Sequence, residues 1–152
     1  MGYSPDWSQD TIRAIESMIT KDMTVYEWGT GFSTIWLAQR VSELVTMEHN
    51  SYWYEKISGI AKELGLKNIQ FELATLFQEK YYKQIHDVNG IGLIIIDGRN
   101  RVRCFNEAVK VGAPIMLDDS ERERYSEVFN HGLRFIDTLP TSQGQKATIF
   151  NV

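Results

Sequence analysis

Residues 24–33, Thr24-Val25-Tyr26-Glu27-Trp28-Gly29-Thr30-Gly31-Phe32-Ser33, form an extended apolar run that ends at an acid and opens into a glycine turn. Val25 and Tyr26 have the β-branched and aromatic character of a buried strand. Gly29 and Gly31 suit a tight turn in which backbone approaches a ligand closely. Ser33 and Thr34 are placed to cap a following helix, whose apolar residues Ile35, Leu37, Ala38 and Val41 recur at helical spacing. Strand, glycine turn and helix in succession give a glycine motif its meaning.

A second strand, Leu44 to Met47, ends in Glu48. The interval from the turn to this acid is about the twenty residues expected of a carboxylate that binds a ribose hydroxyl. The dinucleotide pattern GxGxxG, counted from Gly29, would require glycine where Thr34 stands. Glu27, just before the turn, would repel a pyrophosphate but suits a ligand with a cationic amino group.

These residues resemble motif I of the class I S-adenosylmethionine-dependent methyltransferases, read here as Glu27-Trp28-Gly29-Thr30-Gly31-Phe32-Ser33, with Ser33 in place of the usual third glycine. The resemblance runs along nearly the whole chain. It implies a Rossmann-like fold, S-adenosylmethionine as cofactor, and a cofactor site at Glu27, Gly29, Thr30, Gly31, Ser33, Thr34, Glu48, His49 and Asp97. It also implies that Ala74, Thr75 and Leu76 flank the adenine, although the acid often found there is missing.

The remaining segments supply a scaffold. Ser4 to Met23 reads as a helix starting at Ser4-Pro5, with Ile12, Ile15, Met18 and Ile19 on one face. Tyr3 and Trp7 either pack its start or fold over a nucleoside. A helix with Trp53, Ile57, Ile60, Ala61 and Leu64 on one stripe ends at Gly65, and Ile69 to Leu73 is a short strand. Phe77 to Val88 reads as a helix with Phe77, Tyr81, Ile85 and Val88 inward. Gly92 to Gly98 is an apolar run bounded by glycines, as expected of a parallel strand buried on both faces. A helix follows (Val102, Phe105, Ala108, Val109), then a strand from Ala113 to Leu117 and a helix through Tyr125, Val128 and Phe129. Leu133 to Leu139 and Lys146 to Val152 alternate around Gly144 as an antiparallel hairpin. The expected fold is therefore α/β: a doubly wound, mostly parallel seven-stranded sheet with an antiparallel C-terminal hairpin and helices on both faces.

Ligands of open parallel sheets bind beyond the carboxyl ends of the strands. Those ends present Glu27, Glu48, Asp97, Asp118 and Asp119. Asp97 and Asp118 are the catalytic candidates, and Arg99, Asp119, Arg122 and Tyr125 the acceptor-binding ones. The acids also resemble the magnesium ligands of cation-dependent O-methyltransferases, except that Asp119 replaces an asparagine. Three converging carboxylates need neutralising. Arginines, chiefly Arg99 and Arg122, are expected to do this, with magnesium on Asp97, Asp118 and Asp119 as the alternative. Arginine forks recognise carboxylates and phosphates, so any that are not spent on neighbouring acids point to an anionic acceptor.

The 152 residues fit one domain, 1–152, and 43% hydrophobic content is enough for a core. A net charge of -4 argues against general nucleic-acid binding, with a local basic patch left open, and the expected partner is a small-molecule acceptor. A single cysteine, Cys104, excludes an intramolecular disulfide and a thiolate metal cluster and favours a cytoplasmic setting. The start of the chain lacks a secretory pattern, and no stretch has the length and apolarity of a membrane span. With no room for a substrate-binding insertion, the acceptor pocket must come from the first helix, short loops, or the second subunit of a homo-oligomer. Two other readings stay open: a nucleotide- or NAD-binding Rossmann enzyme, and a non-catalytic nucleoside-binding module of the same fold.

Overall fold

The computed structural model describes residues 2–151. Met1 and Val152, the outermost positions of the predicted domain and hairpin, lie outside the described residues. Strands β1 (Thr24–Trp28), β2 (Glu43–Glu48), β3 (Ile69–Leu73), β4 (Ile91–Ile96), β5 (Ile115–Asp118), β6 (Arg134–Asp137) and β7 (Ala147–Asn151) form one sheet. Its order is β3-β2-β1-β4-β5-β7-β6. The first five strands pair in parallel, while β7 runs antiparallel to both β5 and β6. This is the expected sheet with its antiparallel end. Parallel strands need crossovers, and helices supply them on both faces.

Alternation along the strands divides the core into two layers. Tyr26, Trp28, Ile94, Ile96 and Phe150 point to one face, where Tyr81, Phe105 and Ala108 cover them. Val25, Leu44, Leu93, Ile95 and Met116 point to the other, under Ile12, Ile15, Trp36 and Leu37. The covering elements are α4 (Glu79–Lys83) and α5 (Arg101–Ala108) on the first face, with α1 (Gln9–Met18) and α2 (Phe32–Ala38) on the second. Helix α3 (Ser51–Glu63) packs Ile57 and Ala61 against Ile35 of α2. Buried Trp28 keeps its polar atom satisfied, since its indole N–H donates to the Tyr81 carbonyl at 2.7 Å.

Three expectations about the helices need correction. Helix α1 starts at Gln9, because Ser8 rather than Ser4 is its cap: the Ser8 Oγ accepts the Thr11 N–H at 3.1 Å. Residues 4–7 are thereby left out of the helix. The predicted helix from Phe77 shortens to α4 followed by a 3-10 turn, Gln84–Asp87. A turn consumes its first residues, with the Thr75 N–H on Gln78 Oε1 and the Gln78 N–H on the Thr75 carbonyl. Phe77 sits at the corner of that turn and is 98% exposed, not inward. Glu123–His131, which holds Tyr125, is a 3-10 helix.

Gly29 is the residue this architecture least allows to change. Its φ is +100°, and a Cβ there would lie 2.3 Å from the Asp97 carbonyl oxygen. Gly31 is extended, and a Cβ on it would meet nothing within 4 Å. Gly29→Ala is therefore expected to cost more than the roughly 1–2 kcal/mol that left-handed backbone alone imposes on a side chain. Gly31→Ala should stay within about 0.5 kcal/mol of the parent. Equal urea midpoints for the two variants would contradict this placement of the turn.

Candidate functional site

The glycine turn is held from behind. Glu27 lies at 0% exposure in the middle of β1, and its carboxylate accepts the hydroxyls of Ser33, Thr34 and Thr46. Ser33 and Thr34 open α2 and Thr46 belongs to β2, so one buried carboxylate pins a helix start to two strands. The expectation that Glu27 meets a ligand's amino group is corrected accordingly. It lies beneath the cleft, saturated by hydroxyls, and acts through the turn. Thr34 is likewise fully buried, and its Oγ1 also accepts the Gly31 N–H at 3.0 Å.

Glu48, at the end of β2, faces the open side. Its Oε1 accepts the Thr30 N–H at 2.9 Å, and its Oε2 accepts the N–H groups of His49 and Asn50 at 3.0 and 2.9 Å. A carboxylate offers about four acceptor sites. Three backbone donors fix its direction and the His49 ring Nδ1 lies 3.1 Å from Oε2, so capacity for a ligand hydroxyl is left on Oε1, which accepts a single donor.

A cleft of about 750 Å³ opens above these residues, at the carboxyl ends of β1, β2 and β4. This is where the sheet order reverses, the place where such folds take ligands. Gly29, Thr30, Gly31, Ser33, Glu48, His49 and Asp97 line it, as do Arg99, Asp119, Arg122 and Tyr125 from the acceptor set. Ala74 does not: its side chain is buried in the core, and its N–H donates to the Glu48 carbonyl. Ser4, Pro5 and Asp6, released by the late start of α1, supply another wall. Phe32 and Trp53 lie edge to face on the rim, and Tyr3 stacks on Phe32 with ring centroids 5.6 Å apart. Trp7 is buried against Trp36 and donates its indole N–H to Asp97 Oδ2 at 3.1 Å. Trp7 therefore packs and positions rather than folding over the cleft.

The carboxylates of Asp97, Asp118 and Asp119 converge, each offering an oxygen within 4.8 Å of the others. Arg101, not Arg99, sits at their centre and pairs with two of the three. Its guanidinium lies 3.3 Å from Asp97 and 3.5 Å from Asp119, and it donates to the Asp118 and Gly98 carbonyls at 2.7 and 2.9 Å. Arg122 adds a contact to Asp119 at 3.2 Å, as expected, whereas no ion pair forms on Arg99 among the described residues. Arg101 was missed because three arginines alternate along residues 99–103. The available signal was its position four residues after Asp97, at the first turn of α5. Burial and the neighbouring acids Asp97 and Asp119 push Asp118 up to about 9, while its buried Oδ1 has no hydrogen-bond partner among the described residues. Burial also raises Asp97, against the pull of Arg101. A divalent ion on the three acids would have to displace or share space with this guanidinium. His86 and His131 pair with Glu107 and Asn106 away from the cleft.

Burial pushes the Glu27 carboxyl from its ordinary 4.5 up to about 7, and its three hydroxyl donors pull the other way. The folded chain thus holds this proton more tightly than the unfolded chain. Glu27 destabilises the fold least below pH 4.5, and the cost grows to roughly 3 kcal/mol as pH rises through 7. Glu27→Gln should remove that contribution, so the stability difference between parent and variant changes between pH 4.5 and 7. A difference that stays constant in urea titrations across that range would place Glu27 in water.

No family model matches the sequence, and no curated protein does. Solved structures match closely in shape. An rRNA methylase from Streptococcus thermophilus superposes with a TM-score of 0.71 at 14% identity, over 93% of this chain and 93% of that one. A Streptococcus mutans protein in complex with SAH gives 0.72 at 9% identity, over 95% and 99%. A SAM-dependent methyltransferase from Aquifex aeolicus gives 0.64 at 15% identity, over 93% and 88%. Together with the sheet order and the glycine turn under the cleft, these likenesses place the chain in the Rossmann-like fold of the class I S-adenosylmethionine-dependent methyltransferases.

Proposed function

We propose that the chain is an S-adenosylmethionine-dependent methyltransferase acting on a small, anionic acceptor. The observation that carries this reading is the pairing of the Gly29-Thr30-Gly31 turn with Glu48 on the floor of one cleft. The residues suit the cofactor: space above Gly31 admits its amino acid part, and Glu48 has capacity left for a ribose hydroxyl. His49, Asn50 and Trp53 adjoin Glu48 on the side left for the adenine. Bound there, the cofactor would supply an electrophilic sulfonium methyl group.

The protein's part in such a transfer is mostly alignment, worth up to about 7–11 kcal/mol when the reacting atoms are held in line. Asp97 stands between the glycine turn and the arginine wall, fixed by Trp7 on one side and Arg101 on the other. It is the group placed to take a proton from an acceptor hydroxyl or amine. Arg99 and Arg124 line the same cleft, and neither forms an ion pair among the described residues. These two forks support the anionic acceptor, since bidentate pairing is what an uncommitted guanidinium offers.

A second reading, a nucleic-acid acceptor, has one observation in its favour. Arg99, Arg103 and Arg124 line a groove of about 540 Å³ contiguous with the cleft. A phosphate backbone held there would give binding that weakens steeply with salt, whereas a small acceptor would show a shallow dependence. Walls for either acceptor come from residues 4–6 and the 3-10 helix of this same chain, which reduces the need for a second subunit.

Calorimetric titration with S-adenosylhomocysteine is expected to show binding, with NAD far weaker. Glu48→Ala should weaken S-adenosylhomocysteine by about 1–3 kcal/mol, the worth of hydrogen bonds to a charged group. Gly31→Ala, which leaves the fold intact, should weaken it too by filling the space above the turn. Preferential binding of NAD, or full affinity in a folded Glu48→Ala protein, would overturn the assignment.

A further inference from the structure

The main cleft continues into the groove of about 540 Å³, and the residues common to both are Arg99, Arg101, Arg124 and Tyr125. Three guanidiniums and one phenol therefore make the junction. Arg103 adds a fourth guanidinium to the groove, and no acid lines it among the described residues. In a chain of net charge -4, like charge gathered in this way costs repulsion unless an anion meets it.

Two of the four arginines are already engaged. Arg101 turns back onto Asp97 and Asp119, and Arg103 pairs with Glu79 while lying over the Tyr82 ring. Arg99 and Arg124 form no ion pair among the described residues. The left-handed turn at Asn100, with φ 49°, separates Arg99 from Arg101: one stays at the junction while the other reaches the acids.

Exposed arginines alone would mean little, since most guanidiniums end in water. Tyr125 supplies a further feature. It is 8% exposed, with the guanidiniums of Arg101 and Arg124 over its ring at 5.1 and 5.0 Å. Its hydroxyl forms no hydrogen bond among the described residues, yet it is not sealed in the core. The side-chain polar atoms that are both fully buried and unpartnered are Tyr26 Oη and Asp118 Oδ1. The little surface Tyr125 keeps therefore includes its hydroxyl, and the spaces it lines are the cleft and the groove. Buried side-chain hydroxyls normally have a partner. A phenol that ends unpaired among arginines offers an O–H donor to the anion they would hold.

Resting on the methyltransferase reading above, we infer that the junction of Arg99, Arg124 and Tyr125 binds a phosphate group, so that the acceptor is a small phosphomonoester. The number of donors decides between anions. One arginine fork satisfies a carboxylate, which presents two oxygens along one edge. Two uncommitted forks and a hydroxyl suit a phosphomonoester, with three acceptor oxygens and a charge of about -1.5 to -2 near neutral pH. A nucleic-acid strand fits less well, because Asp6, Asp97 and Asp119 border the same cleft and repel the phosphates that would follow the first. Anchored by its phosphate, the acceptor leaves its other end in the cleft that Asp97 lines.

NMR titration of the full chain tests this, with the backbone amide signals of Val102, Asn106 and Tyr125 as local reporters. Inorganic phosphate is the probe and acetate its carboxylate counterpart. Phosphate should move those signals at a concentration about tenfold or more below that needed for acetate. Tyr125→Phe keeps the ring beneath both guanidiniums and removes only the O–H, and it should weaken phosphate about tenfold or more. Arg124→Gln should weaken it by a similar factor. Arg134→Gln removes the same charge from β6, away from the groove, and should leave phosphate binding unchanged, which separates a local site from net charge. Equal response to phosphate and acetate overturns the proposal. So does full phosphate affinity in a folded Tyr125→Phe protein. A single-stranded oligonucleotide that displaces phosphate with a steep salt dependence overturns it too, because the groove then follows a nucleic-acid backbone. S-adenosylhomocysteine titrated into the same samples separates the levels. If it binds while the two anions are not distinguished, only the phosphate assignment fails; if it does not bind, the reading beneath the assignment fails as well.

Discussion

The contact between Gly29 and the Asp97 carbonyl is the constraint on which the rest of the site depends. Where β1 and β4 end side by side, the backbone of the turn comes so close that a Cβ on Gly29 would lie 2.3 Å from that oxygen. Gly98 is confined in the same way, with the Tyr81 hydroxyl 2.8 Å from its would-be Cβ and the Gly29 nitrogen 3.1 Å away. Two glycines touching across a strand pair fix how the glycine turn faces the acid cluster. In the proposed function, everything to one side of the contact, from Thr30 to Glu48, is cofactor floor. In the same proposal, everything to the other, from Asp97 to Asp119, is acceptor wall.

Electrostatics reinforces this division. Below the glycine turn, acids are held by internal donors: Glu27 by three hydroxyls, and Glu48 by three backbone N–H groups that still leave room on Oε1. On the acceptor side, one buried arginine spans two of three acids and leaves the third with an unpartnered oxygen. Groups held by several fixed donors make a rigid floor. Crowded, incompletely paired acids hold their protons more tightly, and buried groups shifted in that way are found disproportionately at functional sites.

Much of the fold was legible because its strands are extreme. Ile91–Ile96 is apolar on both faces, and the glycine turn sits between a β-rich run and a helical one, so periodicity and punctuation agreed. Helix limits were less legible. Ser4-Pro5 and Ser8 are both credible starts, and only the Ser8–Thr11 hydrogen bond decides between them. Phe77 looked like an inward helical residue because helical spacing from Tyr81 fits it, yet the turn at residues 75–78 rotates it into water. At the site, the motif residues Gly29, Gly31 and Glu48 line the cleft, while the depth of Glu27 was hidden. A clue existed: β1 is flanked by strands on both sides, so a polar residue in its middle must find partners inside. Arg101 could not be separated from Arg99 and Arg103 by composition, since the left-handed turn at Asn100 sets which of them points back.

The most direct test of the account is a crystal structure of the chain with S-adenosylhomocysteine. The account predicts the ribose hydroxyls on the Glu48 carboxylate, the amino acid part over Gly29 and Gly31, Glu27 still buried behind them, and the sulfur directed toward Asp97. A ligand seated outside this cleft, or one whose ribose leaves Glu48 untouched, would contradict it.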